Sequence, residues 1–271
     1  MAYLTMNMRS VVLQMDTSVN VLLPEKRYER QALEPNRKYP VLYLLHGHGD
    51  DHSAWIRKSM IEYLTRDLDM VVVMPTVYRS YYTDCKYGLK CLTYVAEELP
   101  VKMANFFPIS TKREDTFVAG NSMGGYGAFR LALGYPEKYG AAASFSGALT
   151  PFGDIDTDQD EAFTLTRSQD YLDNRYRNFG SREEFAASDN NLVRLVRRLN
   201  QSGKVKPMLY QCCGTEDFVT YGQNVCFHKF MEQEGQGFGY EYFEGPGNHN
   251  WDFWNPQIPV MLKKFGLKKE V

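Results

Sequence analysis

The 271-residue chain carries almost no excess charge of either sign: 31 Lys and Arg against 33 Asp and Glu give a formal net charge of −2 at pH 7. Basic and acidic residues are intermixed, so the chain has no electrostatic footprint for nucleic acid or an anionic membrane. The opening run Met1-Ala2-Tyr3-Leu4-Thr5-Met6-Asn7-Met8-Arg9 lacks a basic stretch followed by an apolar one, and no later run approaches membrane-spanning length. A cytoplasmic protein is expected, acting on a small molecule with no nucleic acid or membrane partner. Cysteine is scarce and odd in number, and Cys85, Cys91, Cys212, Cys213 and Cys226 do not spell a disulfide framework in a chain this long. The adjacent Cys212 and Cys213 read as small, buried, reduced side chains. Linkers rich in Pro or Ser and internal repeats are missing as well. With 44% hydrophobic residues, the chain is expected to form a single α/β domain over 1–271.

What is present is a series of short apolar runs that each lead into a polar or glycine-rich loop. Tyr3 to Met8 and Thr17 to Leu23 read as an antiparallel pair at the start of a sheet. Pro40-Val41-Leu42-Tyr43-Leu44-Leu45 and Met70-Val71-Val72-Val73-Met74 have no alternation, the pattern of parallel strands buried on both faces. Further strands are expected at Thr116 to Ala119, Ala141 to Phe145, Pro207 to Cys212 and Tyr240 to Phe243. Helices are expected from Ser53 to Leu64, from Leu89 to Phe107 with a kink or break at Pro100, after Ser122, over Leu192 to Leu199, over Val219 to Glu234, and from about Trp251 to Phe265. Between about 148 and 189 periodicity fades, and a cap-like insertion over the carboxyl edge of the sheet is expected. Its Asp154, Asp156, Asp158, Asp160 and Glu161 lack the Gly and terminal Glu of an EF-hand loop, so a solvated acidic loop is the better reading.

The organising stretch is Phe117-Val118-Ala119-Gly120-Asn121-Ser122-Met123-Gly124-Gly125-Tyr126-Gly127-Ala128. A strand reaches a Gly-x-Ser-x-Gly turn and small residues open a helix, the context that lifts a serine hydroxyl to a sheet edge as a nucleophile. Serine is too weakly acidic to attack unaided and needs a base with a pKa near neutrality, which points to histidine. His249 ends the Gly245-Pro246-Gly247-Asn248 loop after the last strand, whereas His228 falls inside a helix and His46, His48 and His52 precede the nucleophile. Asp217, after the strand ending at Cys212, would orient the imidazole, with Glu216 and then Asp252 as rivals. Ser122, Asp217 and His249 thus follow the chain order of the α/β-hydrolase arrangement, a mostly parallel sheet flanked by helices. An oxyanion formed on attack needs two backbone N–H donors. One is Met123, and the other must come from Gly47-His48-Gly49.

Leu45-His46-Gly47-His48-Gly49, Gly120-Asn121-Ser122-Met123-Gly124-Gly125-Tyr126-Gly127, Ser144-Phe145-Ser146-Gly147 and the Asp217 and His249 loops resemble the esterase D family. Within it they are most similar to the tributyrin-esterase branch, related to S-formylglutathione hydrolases and feruloyl or acetyl-xylan esterases. The resemblance implies a serine carboxylesterase for short acyl esters, with no metal or cofactor, commonly a homo-oligomer. It implies Ser122 as nucleophile, Asp217 and His249 as the rest of the triad, and the His48 and Met123 amides as the oxyanion hole. His48 stands where relatives often carry an aliphatic residue. Trp55, Tyr82, Phe218 and Trp251 are the candidate pocket-lining residues. The expected substrates are short-chain esters, including acetyl or hydroxycinnamoyl groups on plant polysaccharide fragments, or an S-formylglutathione-type thioester.

Two rival readings use other features. His46-x-His48-x-Asp50-Asp51-His52 after an apolar strand resembles the zinc loop of metallo-β-lactamases with one residue inserted, and would make a metallohydrolase. A catalytically silent chain could bind sugar or protein through its aromatic rim, with Tyr78, Tyr81, Tyr82 and Tyr87 in one loop.

Overall fold

A computed structural model describes residues 1–25, 36–152 and 168–267. Eight strands form one sheet in the order β1-β2-β4-β3-β5-β6-β7-β8. They are β1 (Ala2–Ser10), β2 (Met15–Leu23), β3 (Val41–Leu45), β4 (Val71–Pro75), β5 (Thr116–Asn121), β6 (Ala141–Phe145), β7 (Met208–Gly214) and β8 (Glu241–Gly245). β1 pairs antiparallel with β2, from Ala2 opposite Leu23 to Ser10 opposite Met15, and β2 pairs antiparallel with β4. From β4 to β8 every pairing is parallel.

The unbroken apolar runs become strands covered on both faces, with every residue of β3, β4, β5 and β6 buried. Side chains alternate between two cores: Val41, Tyr43 and Leu45 face one, Leu42 and Leu44 the other. The first core is closed by helices α3 (Cys91–Thr93), α4 (Leu99–Phe106), α5 (Met123–Gly134), α8 (Leu192–Ser202) and α9 (Tyr221–Glu234). The second is closed by α1 (Ala54–Lys58), α2 (Ile61–Thr65) and α10 (Trp251–Lys264). Parallel pairing has one consequence for function: the loops after β3 to β8 all leave at the same, carboxyl rim.

Two helices differ from expectation. The helix predicted from Ser53 to Leu64 is two short ones, because Ser59 is extended and its hydroxyl turns back to the Trp55 carbonyl. Asn255 of α10 seals the break by accepting from Met60 N and donating to the Lys58 carbonyl. At Pro100, where a kink or break is expected, the chain stays helical, and the distortion takes the form of a π turn just before the proline. α3 runs through a π turn (Tyr94–Glu98) into α4, where Pro100 lies in the first turn and needs no N–H. One turn before Pro100, the Ala96 carbonyl accepts from Lys138 Nζ at 2.8 Å.

Of the insertion expected at about 148–189, residues 153–167, with the acidic cluster Asp154 to Glu161, lie outside the described residues. The rest forms α6 (Gln169–Phe179) and α7 (Arg182–Ala187). α6 docks on the tyrosine-rich loop after β4: Lys86 N donates to Asn178 O, Tyr87 N to Arg177 O, and Asn178 Nδ2 to Arg79 O.

Lys138→Met should strip the Ala96 carbonyl of its donor and lower unfolding stability by about 1 kcal/mol in a urea titration. An unchanged midpoint would mean that water replaces the ammonium at no cost.

Candidate active site

At the carboxyl end of β5 the chain turns into α5 within one residue. Ser122 has φ 54° and ψ −119°, a backbone region that costs a non-glycine residue about 1–3 kcal/mol. Hydrogen bonds on both sides hold it there. Its N–H donates to Phe145 O at 2.9 Å, and its carbonyl accepts from Gly125, Tyr126 and Ala148 N–H at 3.0, 3.2 and 3.1 Å. The turn also needs close backbone passage: a Cβ on Gly124 would sit 2.2 Å from Leu45 O, and one on Gly120 2.3 Å from Gly124 O.

The loop after β8 brings His249 Nε2 to 2.9 Å from Ser122 Oγ. The other ring nitrogen, Nδ1, is 2.8 Å from Asp217 Oδ2. Asp217 is 1% exposed. Its Oδ1 accepts the Val219 and Thr220 N–H groups, each at 2.9 Å, and its Oδ2 also takes the Thr220 hydroxyl at 3.0 Å. Burial by itself raises the pKa of this carboxyl, but the His249 contact and these donors outweigh it and hold the group below the ordinary carboxylate value. An ionised Asp217 can only accept, so His249 carries its proton on Nδ1 and presents a bare Nε2 to the serine hydroxyl. Trp254 packs edge-on against the His249 ring, centroids 5.1 Å apart, with its Nε1 anchored on Ser146 Oγ at 3.0 Å.

The structure therefore brings Ser122, His249 and Asp217 together. The rival acids Glu216 and Asp252 are exposed and make no contact with His249. His228 sits on α9, stacked on Tyr242 with its Nδ1 3.2 Å from Tyr240 OH. The Met123 N–H is the first of α5 and so has no acceptor within the helix. The Gly47-His48-Gly49 loop lies beside the serine: a Cβ on Gly47 would stand 3.7 Å from Ser122 Cβ.

Two of the four candidate pocket residues are corrected. Trp55 is wholly buried in the second core, donating to Leu45 O at 3.0 Å and meeting Trp251 edge-on at 4.9 Å. Tyr82 is also fully buried. Its hydroxyl donates to His46 O at 3.0 Å, and its ring lies where a Cβ on Gly127 would come within 2.4 Å. Aromatic residues near a motif look alike in sequence whether they line a cleft or fill the core behind it. Phe218 is 89% exposed and Trp251 half-buried, both at the rim. Thr220 and Trp254 support the site without having been singled out, and Ser146 of the Ser144-Phe145-Ser146-Gly147 motif anchors Trp254. The available signal was local: Thr220 opens a helix three residues after Asp217, and Trp254 falls one helical turn after Trp251.

The zinc-like loop does not converge. His46 Nδ1 lies 2.7 Å from Gly47 O, His48 Nε2 2.9 Å from Asn174 Oδ1, and His52 Nδ1 2.8 Å from Thr76 Oγ1. Among the described residues no three His, Cys, Asp or Glu side chains group as a metal would need. All five cysteines are free thiols; burial pushes Cys91 and Cys213 up to about 12, which keeps both thiols protonated and unreactive at neutral pH. No described helix is long and apolar enough to cross a membrane.

Fold and site together define an α/β-hydrolase-fold serine hydrolase, and relatives narrow the class. The profile of the family described as "Putative esterase" matches residues 10–265, and the chain belongs to that family. An acetyl esterase of Caldicellulosiruptor saccharolyticus is 32% identical over 266 residues, covering 95% of this chain and 96% of the relative. Among solved structures, the substrate-bound fluorophosphonate-binding serine hydrolase FphF of Staphylococcus aureus superposes with a TM-score of 0.83 at 26% identity, covering 99% of both chains. The S-formylglutathione hydrolase FrmB of the same organism gives 0.79 at 26% identity, covering 97% of this chain and 98% of that one. The protein is a carboxylic ester hydrolase.

Because the Asp217 pKa is lower folded than unfolded, the stability it contributes is complete above the unfolded value, about 3.9, and is lost as pH falls through the folded value. Asp217→Asn should therefore flatten the acid side of an unfolding-stability profile. An equally steep fall in the variant would assign that acid sensitivity to other groups.

Proposed function

We propose that the protein is a serine carboxylesterase that cleaves short-chain acyl esters through an acyl-enzyme at Ser122. The observation that carries the reading is the continuous chain from Ser122 Oγ to His249 Nε2 at 2.9 Å and from His249 Nδ1 to Asp217 Oδ2 at 2.8 Å.

In the first half-reaction Ser122 Oγ bonds to the ester carbonyl carbon while its proton passes to His249 Nε2. The imidazolium so formed stays paired with ionised Asp217, and the carbonyl oxygen becomes an anion facing the Met123 and His48 N–H groups. Collapse breaks the bond to the alkoxy oxygen, which leaves as an alcohol with the proton from His249. Water then repeats the sequence on the acyl-serine and releases the acid. Asp217 stays ionised throughout.

For the acyl group we propose acetyl and similarly short chains, a reading supported by the acetyl esterase relative. An S-acyl leaving group is the second reading, favoured by the likeness to FrmB. Phe218 and Trp251, the accessible aromatics among the candidate pocket residues, are proposed to meet the leaving group. A sugar bearing acetyl or hydroxycinnamoyl esters, as on plant polysaccharide fragments, is the proposed natural leaving group.

Wild-type protein should turn over p-nitrophenyl acetate equally well with and without a chelator, and a fluorophosphonate should label Ser122 and abolish turnover. Ser122→Ala should lose at least about a thousandfold in kcat. Label on another residue, or turnover surviving in the variant, would sink the proposal. Acetylated xylo-oligosaccharides, a feruloyl ester and S-formylglutathione, compared by kcat/KM, would rank the leaving groups.

A further inference from the structure

The second oxyanion donor belongs to the peptide joining Gly47 and His48. That unit is planar and trans, so its N–H and its C=O point in opposite directions, and whatever holds the carbonyl aims the N–H. The Gly47 carbonyl accepts two bonds, from Asp50 N–H at 3.1 Å and from His46 Nδ1 at 2.7 Å. Together they occupy both of its lone pairs.

His46 can donate there because of its other nitrogen. Nε2 lies 3.1 Å from the Val77 N–H, and a backbone amide only donates, so Nε2 must be bare. The ring, 1% exposed, is then neutral with its hydrogen on Nδ1. Burial keeps its pKa below the ordinary imidazole value, against the Gly47 bond and the charges of Asp50 and Asp51. Tyr82 OH fixes the same residue's carbonyl at 3.0 Å.

Glycine flanks His48 on both sides, and a Cβ on Gly49 would meet nothing within 4 Å. Gly47 is closely packed, a Cβ there meeting Asn121 Nδ2 at 3.1 Å, but the chain is open from Gly49 onward, so the tilt of the Gly47–His48 peptide depends on its hydrogen bonds. The His48 ring, with Nε2 2.9 Å from Asn174 Oδ1, ties down the far side of the same residue.

We infer that His46 is a positioning residue for the reaction: its Nδ1–H, locked by the Val77 amide, holds the Gly47 carbonyl and thereby aims the His48 N–H at the developing oxyanion. The role rests on the esterase reading above. His46 does not touch substrate.

Two substitutions separate its two bonds. Asn places an amide N–H where Nδ1 stands and cannot reach Val77, whereas Gln reaches the Nε2 position and leaves the Gly47 carbonyl without its side-chain donor. With p-nitrophenyl acetate, His46→Gln should lower kcat about a hundredfold with KM within about threefold, the loss expected for a misplaced oxyanion donor. His46→Asn should stay within about tenfold of wild type. Gln keeping kcat within threefold, or Asn falling as far as Gln, would overturn the assignment. A measurement on unmodified protein needs no variant to fold: ¹⁵N spectra of histidine-labelled enzyme should show one neutral imidazole protonated at Nδ1 with its Nε2 unprotonated and hydrogen-bonded, in addition to His249, and its absence would equally overturn it. Ser122→Ala judges the parent reading separately. Turnover surviving there removes the esterase mechanism, while turnover lost there but intact in His46→Gln removes only the role of His46.

Discussion

The contact on which the site depends is the passage of α5 across the end of β3. Gly124 lies so near the Leu45 carbonyl that a methyl group would come within 2.2 Å of it. This closeness sets the distance between the two halves of the acyl-transfer apparatus: the serine turn on one side and the His46 to Gly49 loop, which begins at Leu45, on the other. A side chain at 124 would push α5 off β3, carrying Met123 N–H away from the Gly47–His48 peptide. Preorganised donors act only when they already stand where the negative charge will appear. The glycine contact is thus a geometric precondition of the proposed mechanism, in which the Met123 and His48 amides serve one oxygen.

The electrostatics of the rim depend on keeping one group charged and two uncharged. Asp217 is buried, yet His249, the Val219 and Thr220 N–H groups and the Thr220 hydroxyl make ionisation the favoured state there. His46 and His48 lie in the neighbouring loop with lowered pKa values, burial being the first cause in each and Arg79 adding to it at His48. Neutral imidazoles at both positions keep extra protons off the ring nitrogens that stand beside the proposed oxyanion donors. Within the described residues the protonatable groups around Ser122 therefore divide cleanly, with His249 alone placed to exchange a proton with the serine.

Much of this was legible in the amino-acid order. The strands buried on both faces announce themselves as unbroken runs at Val41–Leu45 and Val71–Pro75, and a parallel sheet sends their following loops to one rim, so Ser122, Asp217 and His249 could be grouped before any coordinates. What was not legible depends on partners far away in sequence. Next to Pro100, the Ala96 carbonyl finds its donor in Lys138, 42 residues further along the chain than Ala96. The helix from Ser53 stops early because Asn255 waits across the second core. Trp55 and Tyr82 carry the same aromatic signature as rim residues and are sorted only by what lies over them. The bond from His46 to Val77 runs between loops following adjacent strands, and no local pattern encodes it.

Backbone strain shows how the rim is kept rigid. Of the seven non-glycine residues with positive φ among those described, five follow β4, β5 or β6 at the carboxyl end: Tyr78, Tyr81, Tyr82, Ser122 and Ser146. Tyrosine gains nothing from such a conformation, so each instance must be held by its surroundings. Four of them are. Tyr81 N–H donates to Met123 Sδ at 3.3 Å, the Tyr82 hydroxyl to His46 O, Ser146 N–H to Cys212 O at 2.7 Å, and Ser122 N–H to Phe145 O. The bonds run from loop to loop, linking the tyrosine loop to the nucleophile turn and to His46, and the β6 loop to β7. Met123 lies next to the nucleophile turn and its thioether accepts from Tyr81 N–H, so a substitution there that spared the backbone amide could still loosen the loop. The strain is therefore concentrated where the chemistry occurs, and the hydrogen bonds that offset it are the same ones that fix the distances between the reacting groups.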